Sequence, residues 1–193
     1  MSIYLTSDFH LFHQKDFIYN PRCVESAEEM NELIVKNYNS IIKPEDDVYI
    51  LGDLLLGGNE YFEEGLNILS HLPGRIHLVR GNHDTDRRWL AYKTTCTWNL
   101  VEAENAIYID YQGYHFYLSH YPTITSNFDY DKPLRQRLLN ICGHTHTQDK
   151  WCDISKGFIY HVELDAHDCC PVLLDDIITD FKDMYEKNKN QDR

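Results

Sequence analysis

Short apolar runs and amphipathic stretches take turns along this chain, and their periods predict its elements. Residues 3–6, 48–51 and 76–79 are strand-length runs dominated by aliphatic and aromatic side chains. Residues 107–111 and 114–119 flank Gln112-Gly113, the pattern of a hairpin. Residues 138–142 and 158–164 supply the remaining predicted strands. Helices fall between them. Ser26 with Glu29 three residues on has the form of a capping box. Met30, Leu33, Ile34, Asn37 and Ile41 then keep a largely apolar helical spacing until Pro44 stops it. Further helices are predicted over 60–70, 86–93 and 175–187. Strands alternating with helices, followed by a hairpin, indicate an α/β protein with a layered, mixed sheet.

At 193 residues, with 42% apolar and 25% charged side chains, the chain is sized and composed as one globular domain spanning 1–193. The polar stretch 187–193 is expected to fray. No apolar run approaches the roughly 18 residues of a membrane span, and the first residues lack a secretory pattern. A cytoplasmic protein with no membrane partner is therefore expected. Eighteen basic residues against thirty-one acidic ones give a formal charge of −13. Such a surface repels a polyphosphate backbone and disfavours broad nonspecific nucleic-acid binding, while leaving room for a small anionic substrate at a locally positive site. The six cysteines include no Cys-x-x-Cys pair and are read as reduced thiols.

The chemistry gathers at the ends of the strands. Asp8-Phe9-His10 comes after the first, Gly52-Asp53 after the second and Gly81-Asn82-His83-Asp84 after the third. His120-Tyr121-Pro122 comes after the hairpin and Gly143-His144-Thr145-His146 after the next strand. Ligands in open α/β sheets collect beyond the carboxyl ends of strands, and here five such ends deliver His, Asp or Asn to that edge. Asp8 and His10 are two apart, as are His144 and His146, so in extended backbone each pair can converge on one point. A carboxylate such as Asp53 has two oxygens and can bridge two cations, which a neutral imidazole cannot. Two divalent ions among two carboxylates and several neutral imidazoles leave a net positive pocket, which suits a phosphate.

In order and content these motifs resemble those of the calcineurin-like binuclear metallophosphoesterases, with Ser7 to His13 and His120-Tyr121-Pro122 closest to the small bacterial and phage branch. The resemblance implies a four-layer αββα fold, a β-sandwich flanked by helices. It implies Asp8, His10 and His146 on one metal, Asn82, His120 and His144 on a second, and Asp53 bridging them. The implied activity is hydrolysis of a phosphodiester or phosphomonoester by a metal-bridging hydroxide, with His83 as general acid and Asp84 orienting His83. The ligand set has no thiolate, which favours Mn²⁺, Fe, Zn²⁺ or Ni²⁺ over a soft-metal site, and Mn²⁺ is the ion expected to support activity. A small phosphoester or nucleotide is the expected substrate.

Other residues are weaker candidates. His13 and Arg80 are candidate substrate contacts, Tyr121 is read as packing, and His77 as a satisfied core residue. His71, His115, His161 and His167 are read as structural or surface histidines. Glu45-Asp46-Asp47 reads as a solvated turn, and 54–58 as a loop that could edge the site. The competing reading is a catalytically idle scaffold of the same fold that binds a protein partner. A scaffold is free to lose ligands, and this sequence keeps all seven together with His83. A metallo-β-lactamase fold would require a His-x-His-x-Asp-His run, which is absent.

Overall fold

The computed structural model describes residues 1–129, 131–152 and 157–191. Among the described residues nine strands form: β1 (Ile3–Thr6), β2 (Asp47–Ile50), β3 (Arg75–Val79), β4 (Leu100–Glu104), β5 (Ala106–Tyr111), β6 (Tyr114–Ser119), β7 (Leu138–Cys142), β8 (Ile159–His161) and β9 (Val172–Leu173). Five α-helices accompany them, with short 3-10 turns between elements: α1 (Asp16–Arg22), α2 (Ala27–Ile41), α3 (Phe62–Ser70), α4 (Asp86–Thr94) and α5 (Leu174–Gln191).

The first sheet has the order β4-β3-β2-β1-β9. β1 to β4 run parallel, each joined to the next through one or two helices, and β9 closes the edge antiparallel to β1. Alternate side chains go to opposite faces. Val48, Ile50, Ile76 and Leu78 pack beneath Ile18 of α1, Met30, Ile34 and Tyr38 of α2, Leu66 and Leu69 of α3, and Tyr92 of α4. Leu5, Tyr49, Leu51 and Val79 face the other way, into a second cluster. There they meet Phe116, Leu118, Leu139, Ile141 and Tyr160 from the second sheet, together with Leu174, Ile177, Ile178 and Phe181 of α5. The second sheet has the order β5-β6-β7-β8. Phe116, Ile141 and Phe181 are fully buried, and each such side chain contributes about 1.5–3 kcal/mol by leaving water. Two sheets flanked by helices is thus the observed architecture.

Several boundaries differ from expectation for identifiable reasons. The pattern does not predict α1, which is only seven residues long and contains Pro21, whose Asn20-Pro21 step reads as a stop. β4 is an edge strand with two glutamates, and β9 has two residues, so neither carries a clear period. β8 covers only Ile159–His161 of the predicted 158–164 run, because the chain turns into a 3-10 helix over Leu164–Ala166. α5 carries on to Gln191, past the point where fraying is expected. Ser26 does cap α2, accepting the Glu29 backbone N–H at 3.1 Å, but the Glu29 carboxylate reaches back to the Glu25 N–H.

The acidic run is a built structure and not a solvated turn. Asp46 is buried and accepts the backbone N–H groups of Ser2 and Lys43. Asp47 accepts from His77, whose other ring nitrogen lies 2.6 Å from Glu102, tying three neighbouring strands together. Leu54 and Leu55 are buried in the core, and Leu55 bridges to Leu11, so this stretch extends the sheet. All six cysteines are free. Among the described residues no helix is long and apolar enough to cross a membrane.

Candidate metal centre

Beyond the ends of β1 and β2 the backbones keep running side by side. Asp8 N–H donates to Gly52 O, His10 N–H to Asp53 O and Leu11 N–H to Leu54 O, each at 3.0 Å. In the second sheet, beyond the ends of β6 and β7, Gly143 N–H donates to His120 O at 3.1 Å. Asp8, His10, Asp53 and Asn82 therefore come from the first sheet, and His120, His144 and His146 from the second. The turns are tight. Asp8, His10, Asp53, His144 and His146 have φ of 58°, 50°, 58°, 79° and 52°. For residues other than glycine this region costs about 1 kcal/mol or more each, and such strain clusters at functional sites.

Each carboxylate is anchored by one oxygen and leaves the other facing inward. Asp8 Oδ2 accepts the backbone N–H of His144 at 2.9 Å, and Asp53 Oδ1 that of His83 at 2.7 Å. Two glycines make this approach possible. A Cβ on Gly81 would stand 2.2 Å from Asp53 Oδ1, and one on Gly143 2.2 Å from Asp8 Oδ2.

The imidazoles are oriented from behind. His120 places Nδ1 2.8 Å from the Leu51 carbonyl, an acceptor only, so in the neutral ring Nδ1 carries the proton and Nε2 a lone pair. That Nε2 faces Asn82 Oδ1 at 2.8 Å, His144 Nδ1 at 3.2 Å and Asp53 Oδ2 at 3.4 Å. His146 Nδ1 lies 2.9 Å from Asp165 Oδ2, which leaves Nε2 pointing inward, 3.9 Å from Asp8 Oδ1. His10 Nε2 sits 3.5 Å from Asp8 Oδ1 and 3.7 Å from Asp53 Oδ2.

These atoms fit divalent cations. Asp8 Oδ1 and both ring nitrogens of His10 are buried without a hydrogen-bond partner, at about 1–3 kcal/mol per orphaned group. Lone pairs on His120, Asn82 and Asp53 crowd one point with no proton between them in the neutral form. Among the described residues two groups could hold a cation: Asp8, His10 and His146, and Asp8, Asp53 and His120, each with donor atoms within 4.8 Å of one another. Oxygen and imidazole nitrogen donors of this kind suit first-row divalent metals.

Titration in the metal-free site follows burial and neighbours. Burial opposes ionisation of Asp8, but the adjacent imidazole of His10, with His120 and His146, holds its carboxyl well below the usual range. Burial pulls His10 down to about 4. Burial pushes Asp53 up to about 7, against the pull of His120 and with the Asp8 and Asp84 carboxylates adding to the rise. Burial lowers His146, yet the Asp165 hydrogen bond and the Asp8 charge bring it out above an ordinary histidine. His83 and His144 are lowered, chiefly by burial.

The other candidates divide. His83 is partly exposed at the mouth, with Nε2 4.0 Å from Asp53 Oδ2 and its ring edge-on to His10 at 5.5 Å. His13 lies beside it, its ring 5.6 Å from His10 and its pKa lowered to about 4 by burial. Asp84 does not touch the His83 ring. Its oxygens accept the backbone N–H groups of Asp53 at 2.9 Å, Leu54 at 3.3 Å and Gly81 at 2.8 Å, and the Tyr92 hydroxyl at 3.3 Å. It therefore ties the β2 and β3 loops together. Arg80 turns away from the site to bond the Asp84 carbonyl and the Asp86 carboxylate, which removes it as a substrate contact. Tyr121 is half-exposed and lies edge-on to His120 and His144, so it borders the mouth where packing was expected.

Three supporting residues lie outside the motifs. Arg22, buried at the end of α1, donates from Nε and Nη2 to Asp165 and from Nη1 and Nη2 to the Phe9 and Asp8 carbonyls. Asp165 thereby links Arg22 to His146. Glu163 accepts from the Thr145 hydroxyl at 2.7 Å and the Thr147 N–H at 3.1 Å, fixing the His144–His146 loop.

The chain is similar in sequence and fold to known proteins. An uncharacterized protein of Methanocaldococcus jannaschii is 36% identical over 129 residues, 66% of this chain and 64% of that protein's length. The gene 66 protein of Mycobacterium phage L5 is 26% identical over 162 residues, covering 75% of this chain and 77% of its own. The crystal structure of a protein of unknown function from Aquifex aeolicus superposes with a TM-score of 0.68 at 26% identity, over 92% of this chain and 98% of that one. The model of the calcineurin-like phosphoesterase superfamily domain matches residues 1–159, and this chain belongs to that superfamily.

Proposed function

We propose that this chain is a binuclear metal-dependent phosphodiesterase. Asp8, His10 and His146 would hold one divalent cation, and Asn82, His120 and His144 the other. Asp53, with Oδ2 within 3.7 Å of His10 and 3.4 Å of His120, would stand between them. Bound there, two cations would acidify water and neutralise charge on the phosphoryl oxygens. Mn²⁺ is the ion proposed for the test, and a donor set of oxygen and nitrogen alone also admits Fe, Zn²⁺ or Ni²⁺.

The chain's own groups supply the rest. Asp165 and Leu51 hold the protons of His146 and His120 on Nδ1, so each Nε2 stays a donor. His83 reaches the mouth from a backbone pinned to Asp53 and would protonate the leaving oxygen from its ring. Asp84 positions His83 through the loop, and His13 would meet the outer phosphate oxygens. The two buried clusters share the first sheet, which supports a single domain over residues 1–193. Six free thiols support a cytoplasmic setting.

The observation that carries this reading is the set of buried, unpartnered donors on Asp8 and His10. The test is hydrolysis of bis-p-nitrophenyl phosphate by Mn²⁺-loaded protein, with metal content measured in parallel. The expected result is two ions per chain and turnover abolished by chelator. Two bound ions with no turnover across mono- and diesters would favour the scaffold instead.

A further inference from the structure

His83 stands at the mouth with its ring partly exposed, so packing alone does not hold the imidazole toward a leaving oxygen. Its backbone is held instead, from both sides. The Asp53 carboxylate accepts the His83 N–H at 2.7 Å. On the other side stands Arg88, in the first turn of α4. Its Nη1 donates to the His83 carbonyl at 2.9 Å, and its Nη2 to the Gly57 carbonyl at 2.8 Å.

The two carbonyls belong to different loops. His83 lies between β3 and α4, whereas Gly57 lies between β2 and α3. The Gly57 N–H in turn donates to the Leu11 carbonyl at 3.2 Å, next in the chain to the proposed ligand His10. A Cβ on Gly57 would stand 2.4 Å from the Phe12 Cβ, so this loop is seated closely on the β1 loop. One guanidinium therefore sets the spacing between the loop that carries the acid and the loops that carry ligands.

Its own footing is firm. Thr85 caps α4 by accepting the Arg88 N–H at 3.4 Å, and Tyr92 on the same helix is fully buried. The neighbouring arginines are committed elsewhere. Arg80 bonds Asp86, and Arg87 bonds Asn59 and lies 4.4 Å from the centre of the Phe62 ring.

We propose that Arg88 is the positioning residue for His83, holding the imidazole where a leaving oxygen departs. This rests on the reading of His83 as general acid. An arginine suits the task because its planar fork presents two donors in fixed geometry, whereas a lysine offers a single point charge. Proton transfer requires hydrogen-bond reach, and displacement of a reacting group by about 1 Å can cost about 10²-fold in rate.

The test is a double-mutant cycle of His83→Ala and Arg88→Met on Mn²⁺-loaded protein, read with alkoxide and p-nitrophenolate leaving groups. Arg88→Met keeps an unbranched side chain and removes both donors. It is expected to retain both ions and lose about 10- to 100-fold in kcat for the alkoxide, less for p-nitrophenolate, with KM little changed. Arg88→Lys should recover part of that loss. Added to His83→Ala, Arg88→Met should cost less than about twofold, because the group it positions is gone. Amide exchange of the metal-free protein reads the same contact without turnover: the His83, Thr85 and Gly57 N–H groups should exchange faster in Arg88→Met.

Unchanged exchange at all three amides would overturn the proposal. A rise in KM for both leaving groups that persists in the His83→Ala background would overturn it in favour of a direct phosphate contact. A leaving-group-dependent loss in His83→Ala that Arg88→Met does not share would overturn the positioning role alone. Equal losses for both leaving groups in His83→Ala, where Arg88 is intact, would overturn the acid reading and the positioning role with it.

Discussion

Asp165 accepts the Nδ1–H of His146 at 2.9 Å while Arg22 holds the same carboxylate at 3.0 and 3.1 Å. One buried carboxylate thus ties a proposed metal ligand to the helix that shapes the Asp8 loop. Asp165→Ala leaves the Arg22 charge buried and unpaired, a loss of about 3–5 kcal/mol of stability. Asp165→Asn keeps the shape and most of the fold. Its expected effect is a metal affinity weakened by about 10- to 100-fold, read by calorimetry, because His146 loses its orienting partner. Unchanged affinity in Asp165→Asn would remove His146 from the ligand set.

Asp84 predicts a different failure. Its carboxylate serves three backbone N–H groups in two loops, so Asp84→Ala orphans them together. A destabilisation of about 3 kcal/mol or more is expected in urea denaturation, since each orphaned buried donor costs about 1–3 kcal/mol.

The glycine cradles can be closed with a single methyl group. Gly81→Ala and Gly143→Ala each drive a Cβ into a carboxylate at 2.2 Å and displace Asp53 or Asp8. Far-ultraviolet circular dichroism should stay close to wild type while bound metal falls below two ions per chain. Full metal occupancy in both variants would show that those carboxylates are not ligands.

Metal affinity should depend on pH with a definite sign. Burial pushes Asp53 up to about 7, so below that pH its carboxyl holds a proton that a cation must displace. Affinity is expected to weaken as pH falls from 8 to 6, with proton release visible as a buffer-dependent binding enthalpy. An affinity independent of pH over that range would contradict a bridging Asp53.

His83→Ala should keep both ions and lose rate, because its ring lies outside the two donor groups, with Nε2 4.0 Å from Asp53. The loss should be about 10²- to 10⁴-fold for an alkoxide leaving group and smaller for p-nitrophenolate, which departs without a proton. Equal losses for both leaving groups would exclude it as the acid.

The strand ends are readable because each pairs a short aliphatic run with Asp, Asn or His beside glycine, and all seven expected ligands come together on that edge. What supports them is not readable. Arg22 sits on a short helix hidden behind Asn20-Pro21, and Asp165 and Glu163 lie in a turn where acidic residues carry no period. Asp84 has the neighbours its position suggests but the wrong expected target, since a side chain's partner across 30 residues of chain cannot be inferred from spacing. Arg80 and Tyr121 exchange expected places because exposure depends on how the loops fold back.

The split of the proposed ligands between two sheets would tie cation capture to the completion of folding. Asp8 and His144 are 136 positions apart and meet only when the second sheet has closed on the first. A nascent chain stopped before β7 would carry five of the seven proposed ligands and lack His144 and His146. Retention of both ions would therefore report that the two sheets have closed on one another.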